Sequence, residues 1–197
     1  KVILCFGFFL LFLAGCANTA NTPTSKVEEF LGKYQSMDED VTTQLDQVLS
    51  DDDSMNDEQK EKYRALMEKQ YQNLSYKIEN ENIDGDSATV DVEIEVLDYA
   101  TSIAKSKEYY EEHKDEIEEE KQDKEDNTNV AEDAVDDAES AVKESAAYIN
   151  YKLKELESVS DTTTYTITFY LTKEDGDWKL QDISDLDLQK IHGLYEG

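Results

Sequence analysis

The chain has 197 residues, and 48 acidic against 19 basic side chains leave it a formal net charge of -29 at pH 7. A surface of that sign repels nucleic acid and anionic lipid headgroups, which excludes both as docking partners of the folded part and keeps it solvated and surrounded by cations. Apolar residues still make up 38% and are patterned, which excludes a disordered polyanion, while the single Pro and seven Gly favour long helices and few irregular loops.

Lys1 is the only charge before Cys16. The apolar run from Val2 to Leu13 is too short to span a bilayer, which takes about 20 apolar residues. It fits the core of a secretory signal, with small residues ahead of a cut. No Met opens the chain, so part of a basic leader is expected upstream. An ordinary signal would leave Cys16 as a free thiol, a liability on a secreted chain; a transmembrane anchor is the other alternative. The four residues Leu13-Ala14-Gly15-Cys16 resemble the lipobox of bacterial lipoproteins: aliphatic, small, small, cysteine. The resemblance implies that Leu13, Ala14 and Gly15 are recognised and removed with the rest of residues 1–15. It also implies that the Cys16 thiol carries a diacylglycerol and opens the mature chain. Two acyl chains anchor stably where one is marginal. With Cys5 inside the signal, the mature chain would have no disulfide, no cysteine metal site and no thiol nucleophile.

Residues 16–24 (CANTANTPT) read as a lipidated flexible tether. A single α+β domain is expected over 25–197. Ser25 and Glu28 match a capping box, and Val27, Phe30, Leu31 and Tyr34 follow at the spacing of one buried helical face. Ser36 and Glu39 repeat the cap, predicting a bend, and Val41, Leu45, Val48 and Leu49 continue the stripe. Asp51-Asp52-Asp53-Ser54 breaks it. Asn56 with Gln59 caps a third helix with the stripe Tyr63, Leu66, Met67, Tyr71 and Leu74. These stripes are core.

From Leu74 the period changes to two. Leu74, Tyr76 and Ile78, then Ala88, Val90, Val92, Ile94 and Val96, predict a half-buried antiparallel hairpin. A three-residue loop Asp84-Gly85-Asp86 sets Ile78 opposite Val92 and Lys77 opposite Glu93, matching like faces, with Gly85 or Asp86 at positive φ. Tyr99 to Glu125 returns to helix, thinly apolar at Ile103, Tyr110 and Ile117, and Glu118 to Asn129 reads as an exposed helix end and turn. Asn129 and Glu132 cap a further helix, with the face Ala131, Val135, Ala138, Val142, Ser145, Ile149, Leu153 and Leu156. Residues 100–157 are therefore expected as a helical hairpin inserted between two strand pairs; a coiled-coil partner in another chain is the alternative. Tyr165, Ile167, Phe169 and Leu171 form the next strand. A four-residue loop Lys173-Glu174-Asp175-Gly176 places Leu171 opposite Trp178 and Phe169 opposite Leu180, with Gly176 left-handed. Ser184 caps a last helix bearing Leu188 and Ile191, stopped by Gly193, with His192 at its negative end.

The expected architecture is a four-stranded antiparallel sheet of two hairpins, packed against N-terminal helices. Three N-terminal helical segments, Glu58-Gln59-Lys60-Glu61-Lys62-Tyr63 through Tyr76, Asp84-Gly85-Asp86, the Val90–Val96 strand, Asp175-Gly176-Asp177 with Trp178-Lys179-Leu180, and the lipobox together resemble small Gram-positive lipoproteins of the nuclear transport factor 2-like, or cystatin-like, fold. The resemblance implies fold and location rather than a reaction.

Isomerases of that fold imply an Asp base and a hydrogen-bond donor inside the sheet cone. Strand parity offers Asp98 and Asp182, with Tyr99 or Tyr165 nearby; solvent-facing strand ends are the alternative. His113 and His192 read as surface residues. Asn80-x-Asn82-x-Asp84-Gly85 starts like a calcium loop but has Asp91 at its twelfth position and a strand after it. Acidic groups at Asp51–Asp53, at Glu116–Glu120, and at Glu132, Asp133, Asp136 and Asp137 read as solvated faces, with loose calcium binding as the alternative. The expectation is a non-enzymatic lipoprotein on the outer face of a cell membrane, with no cofactor and no metal. Its partners would be the membrane, through lipid on Cys16, and an unidentified protein, peptide or small ligand. The alternative is a small-molecule enzyme with its site in the cone.

Overall fold

A computed structural model describes residues 21–122 and 146–197. The lipobox, the tether as far as Ala20, the helix start at Asn129 and Glu132, the face from Ala131 to Ser145, and the acidic group Glu132, Asp133, Asp136 and Asp137 lie outside the described residues, as do the side chains of Glu116–Glu120. Among the described residues ten elements follow in order: α1 (Pro23–Ser36), α2 (Glu39–Asp51), α3 (Asp57–Asn73), β1 (Ser75–Asp84), β2 (Ser87–Leu97), α4 (Tyr99–Gln122), α5 (Ala146–Glu157), β3 (Thr162–Glu174), β4 (Asp177–Leu180) and α6 (Asp185–Ile191). The class is α+β. The four strands form one antiparallel sheet in the order β1-β2-β3-β4, so the helical pair α4–α5 is inserted between the two hairpins, as its sequence position predicts.

The inner face of the sheet carries Val90, Val92, Ile94, Ile167, Phe169 and Leu171, all buried with side chains of α1, α2, α3 and α6 in one apolar cluster. The outer face carries Thr89, Asp91, Glu93, Glu95, Thr166, Thr168 and Tyr170 and stays wholly or partly exposed. A second, smaller cluster joins Leu66 of α3, Leu97, Tyr99 and the α5 residues Ile149, Leu153 and Leu156. Both hairpin turns lie at one end of the sheet. The α4–α5 pair leaves from the other, where Leu97 pairs with Thr162.

The registers hold two corrections. In the first hairpin Ile78 does face Val92 and Lys77 does face Glu93. The loop, however, has two residues, Gly85-Asp86, closed by Asp84 opposite Ser87, and a bulge between Ile78 and Asn80 restores the register. Gly85 takes the positive φ of 62°, suiting a two-residue turn with Gly at its first central position. In the second hairpin the loop is Asp175-Gly176, both residues at positive φ, and Leu171 faces Leu180 rather than Trp178. The face is unchanged because the shift is two residues. Asp-Gly satisfies the shortest hairpin turn directly, so the longer loop is not needed.

The helix starts also move. Thr22, not Ser25, caps α1: Ser25 supplies the reciprocal hydroxyl, and Pro23 occupies the first turn, where its missing N–H is harmless. Asp38, not Ser36, caps α2, because Met37 turns left-handed at φ 52° and ends α1. Val48 falls off the buried stripe and is 62% exposed. Residues 21–24, read as tether, are folded: Asn21 Nδ2 donates to the Gly176 carbonyl at 2.9 Å, and its Oδ1 accepts from the Trp178 N–H at 3.1 Å. Thr24 donates through N–H and hydroxyl to the Glu81 carboxylate at 2.9 and 2.7 Å. The bulge in β1 is the reason Glu81 is there. It puts Glu81 opposite the inward Val90, under the free amides of the α1 N-terminus.

The Asn56–Gln59 capping box is present. Gln59 goes further than a cap: its Nε2 donates to the Ala146 carbonyl at 3.2 Å and to Asn150 Oδ1 at 3.0 Å, which ties α3 to α5. Gln70, wholly buried, donates from Nε2 to the Leu97 carbonyl at 3.1 Å and accepts the Leu97 N–H at 2.8 Å. Gly193, at φ 69°, lies against this pair, where a Cβ would meet Gln70 Nε2 and the Leu97 carbonyl oxygen. Its own carbonyl accepts the Ala100 N–H at 2.8 Å. Gly193→Ala is therefore expected to lose on the order of 3 kcal/mol from left-handed strain plus overpacking. Gly85→Ala, whose Cβ meets open space, is expected to lose about 1 kcal/mol. Denaturant unfolding followed by Trp178 fluorescence measures both, and equal losses would contradict the close approach at Gly193.

Candidate functional site

The joint made by Gln70, Leu97 and Gly193 positions the chain neighbours of two of its members. Tyr71 follows Gln70 on α3 and His192 precedes Gly193 after α6. Tyr71 Oη and His192 Nδ1 stand 3.0 Å apart. Tyr34 of α1 packs edge-on against Tyr71, ring centroids 5.0 Å apart, and lies 6.2 Å from the His192 ring.

These rings form one wall of a half-open cleft of about 230 Å³ among four helices. Helix α2 contributes Val41, Gln44, Leu45 and Val48, α3 contributes Tyr63, Met67 and Tyr71, and Leu188 and His192 close the α6 side. Among the described residues, no strand residue and no Asp, Glu, Lys or Arg lines it, although such charged residues are 34% of the chain.

Burial raises the hydroxyl pKa of Tyr34, Tyr63 and Tyr71, so all three stay neutral. Desolvation pulls His192 down to about 4, which makes its imidazole neutral at pH 7. The electrostatics are those of an uncharged polar dyad in an apolar setting. Nδ1 is used by Tyr71. Among the described residues Nε2 has no protein partner, and no buried side-chain nitrogen or oxygen is left unsatisfied, so Nε2 is open to solvent; the residue lines the cleft. A Tyr71 hydroxyl donating to Nδ1 leaves a proton on Nε2; the reverse bond leaves a lone pair there. The dyad can therefore offer either a donor or an acceptor at Nε2.

The carboxylates offered by strand parity do not meet. Asp98 accepts the Thr101 N–H at 3.0 Å and so caps α4, and Asp182 is exposed beyond β4. Tyr99 donates to the Leu66 carbonyl at 3.0 Å and Tyr165 to the Tyr195 carbonyl at 3.3 Å; neither joins an Asp. His192, read as a surface residue, is half-buried instead, because Gly193 turns the chain end back over α3. His113 sits at a kink in α4. Its Nδ1 donates to the Tyr109 carbonyl at 2.9 Å, and its ring stacks on Tyr109 at 4.0 Å. Asn80, Asn82 and Asp84 lie along β1, not in a calcium loop. In the Asp51–Asp53 group, Asp52 accepts from Ser54 N–H and hydroxyl at 2.7 and 2.5 Å, and the hydroxyl bond leads in holding its carboxyl below the usual range. Among the described residues no group of three or more His, Cys, Asp or Glu is placed to hold a metal ion.

Comparison of the chain with protein-family models, with curated proteins and with solved structures finds no match.

The neutral His192 gives a signed pH dependence. As pH falls, the unfolded chain takes up the histidine proton near pH 6.5, while the folded chain resists until about 4. Stability from this group is present above pH 6.5 and lost between there and pH 4, by as much as about 3 kcal/mol. Acid also relieves repulsion among the excess carboxylates, which acts the other way. The measurement is therefore the difference between wild type and His192→Asn in urea midpoint at pH 7 and pH 4.5. The wild type is expected to lose ground to the variant on acidification; an unchanged difference would contradict a desolvated imidazole.

Proposed function

We propose that the protein is a lipid-anchored lipoprotein on the extracytoplasmic face of a cell membrane, acting as a non-enzymatic binding module. The observation that carries this reading is Leu13-Ala14-Gly15-Cys16 at the end of the apolar run from Val2. Cys16 takes the lipid, and the net charge of -29 holds the folded part off anionic headgroups.

The fold supports a short link. Asn21 is already bonded to the β3–β4 turn, and the five peptide links from Cys16 to Asn21 reach at most about 18 Å when extended. The turn end of the sheet would face the bilayer, and α4–α5, leaving from the opposite end, would face away. Among the described residues no helix is long and apolar enough to cross a membrane. The neutral cleft, with its polar dyad and without a paired carboxylate, supports binding rather than acid–base turnover.

Cys16→Ser is expected to move the protein from the membrane fraction to the medium or the soluble fraction of the cells that make it. Cell fractionation with immunoblotting reads the outcome. A variant that stays with the membrane as the wild type does would contradict a lipid anchor on Cys16.

A further inference from the structure

The cleft among α1, α2, α3 and α6 has the size and chemistry of a small-molecule site, and its lining selects by charge. We propose that it binds an uncharged, ring-sized molecule bearing one hydroxyl or amide group, which hydrogen-bonds His192 Nε2. This deepens the binding-module reading and is independent of the lipid anchor.

Size is the first argument. An apolar cavity of about 150 Å³ accepts benzene, so a cleft of about 230 Å³ accepts a six-membered ring with one or two substituents. The lining is the second. Leu45 and Met67 offer apolar surface, and Tyr34, Tyr63 and Tyr71 offer ring faces and edges, the composition of small-molecule sites. Charge is the third. An ion moved here would lose part of its hydration and, among the described residues, meet no charged group in the lining, a costly transfer; the Asp52 carboxylate that acts on Tyr63 adds to the cost for an anion. An anion would also cross the negative field of the whole chain.

Polar complementarity fixes the remaining feature. Tyr71 occupies Nδ1, which leaves Nε2 as the unmatched polar atom of the dyad. The two tautomers let Nε2 give or take a proton in a hydrogen bond, and hydroxyls and primary amides do both. A ligand without such a group leaves Nε2 unmatched in a half-closed site, and removal of a hydrogen-bond partner there is unfavourable. Exposed Val48 stands at the rim, so a bulky or charged side chain at that position obstructs entry without touching the core.

The test is NMR titration of the full-length protein in detergent with p-cresol, 4-methylbenzoate and toluene. The expected result is saturable binding of p-cresol with a Kd of about 1 mM or tighter, ordinary for about eight heavy atoms. Shifts should concentrate at His192 and Tyr71, and 4-methylbenzoate should bind at least about tenfold more weakly. His192→Phe should weaken p-cresol about tenfold while leaving toluene little changed. Val48→Glu should weaken both p-cresol and toluene with the spectrum of the fold intact, which keeps the test valid should the His192 variant not fold. Non-saturating shifts, equal binding of the carboxylate, or p-cresol binding indifferent to Val48→Glu would overturn the proposal. None of these outcomes bears on where Cys16→Ser is found in cells, so the two readings fail separately.

Discussion

One buried amide holds the two halves of this protein together. Gln70 satisfies both backbone groups of Leu97 at the point where the sheet ends and the α4–α5 pair begins. Leu97 and Gln70 are both buried, so neither set of polar groups has water as a substitute, and an unmatched set would carry its full desolvation penalty. The same joint receives the end of the chain. Gly193 fits against it because it has no side chain, and its carbonyl holds the first turn of α4. Tyr71 and His192 are next in the chain to the two partners, so their 3.0 Å contact is a consequence of the joint. The cleft is a by-product of how the termini of three elements are tied.

A second tie works at the other end of the sheet. The bulge in β1 changes the parity of the strand, brings Glu81 beneath the start of α1, and gives the free amide of Thr24 and its hydroxyl a carboxylate to bond. Asn21 meanwhile completes the β3–β4 turn from outside the hairpin. The chain therefore enters the fold under control from its first described residue. In the lipid-anchored form proposed above, such an entry would shorten the tether and turn the hairpin end of the sheet toward the bilayer, with the helical side and α4–α5 facing away.

Most of the fold was legible because it rests on periodicity. The stripe Leu66, Met67, Tyr71 and the alternation Val90, Val92, Ile94 report burial locally, one residue at a time, and both emerge as read. Loop lengths were less legible. Matching faces constrains only the parity of a register, so Leu171 opposite Trp178 and Leu171 opposite Leu180 satisfy the same pattern, and a bulge can absorb an odd residue. The choice of cap among Thr22 and Ser25, or Ser36 and Asp38, turned on Pro23 and on a left-handed Met37, which weigh little in a pattern of hydroxyls and carboxylates. The cleft was not legible. Tyr34 and Tyr71 were rightly read as stripe residues, yet nothing in their spacing says they meet His192, which lies 121 positions beyond Tyr71. The signal that pointed there, Gly193 after a short helix, was read as a stop and not as a close approach. Asp98 failed as a cone carboxylate for the converse reason: a carboxylate at the junction of strand and helix is more useful to the helix start.

The account stands or falls on the covalent state of Cys16. The most direct measurement is intact mass spectrometry of the protein extracted from native membranes, with sequencing of its N-terminal fragment. The account predicts a chain that begins at Cys16, with residues 1–15 absent and the mass of a diacylglycerol on the sulfur. An N-terminal fragment with an unmodified Cys16 thiol, or one that still carries the apolar run from Val2 to Leu13, would contradict it.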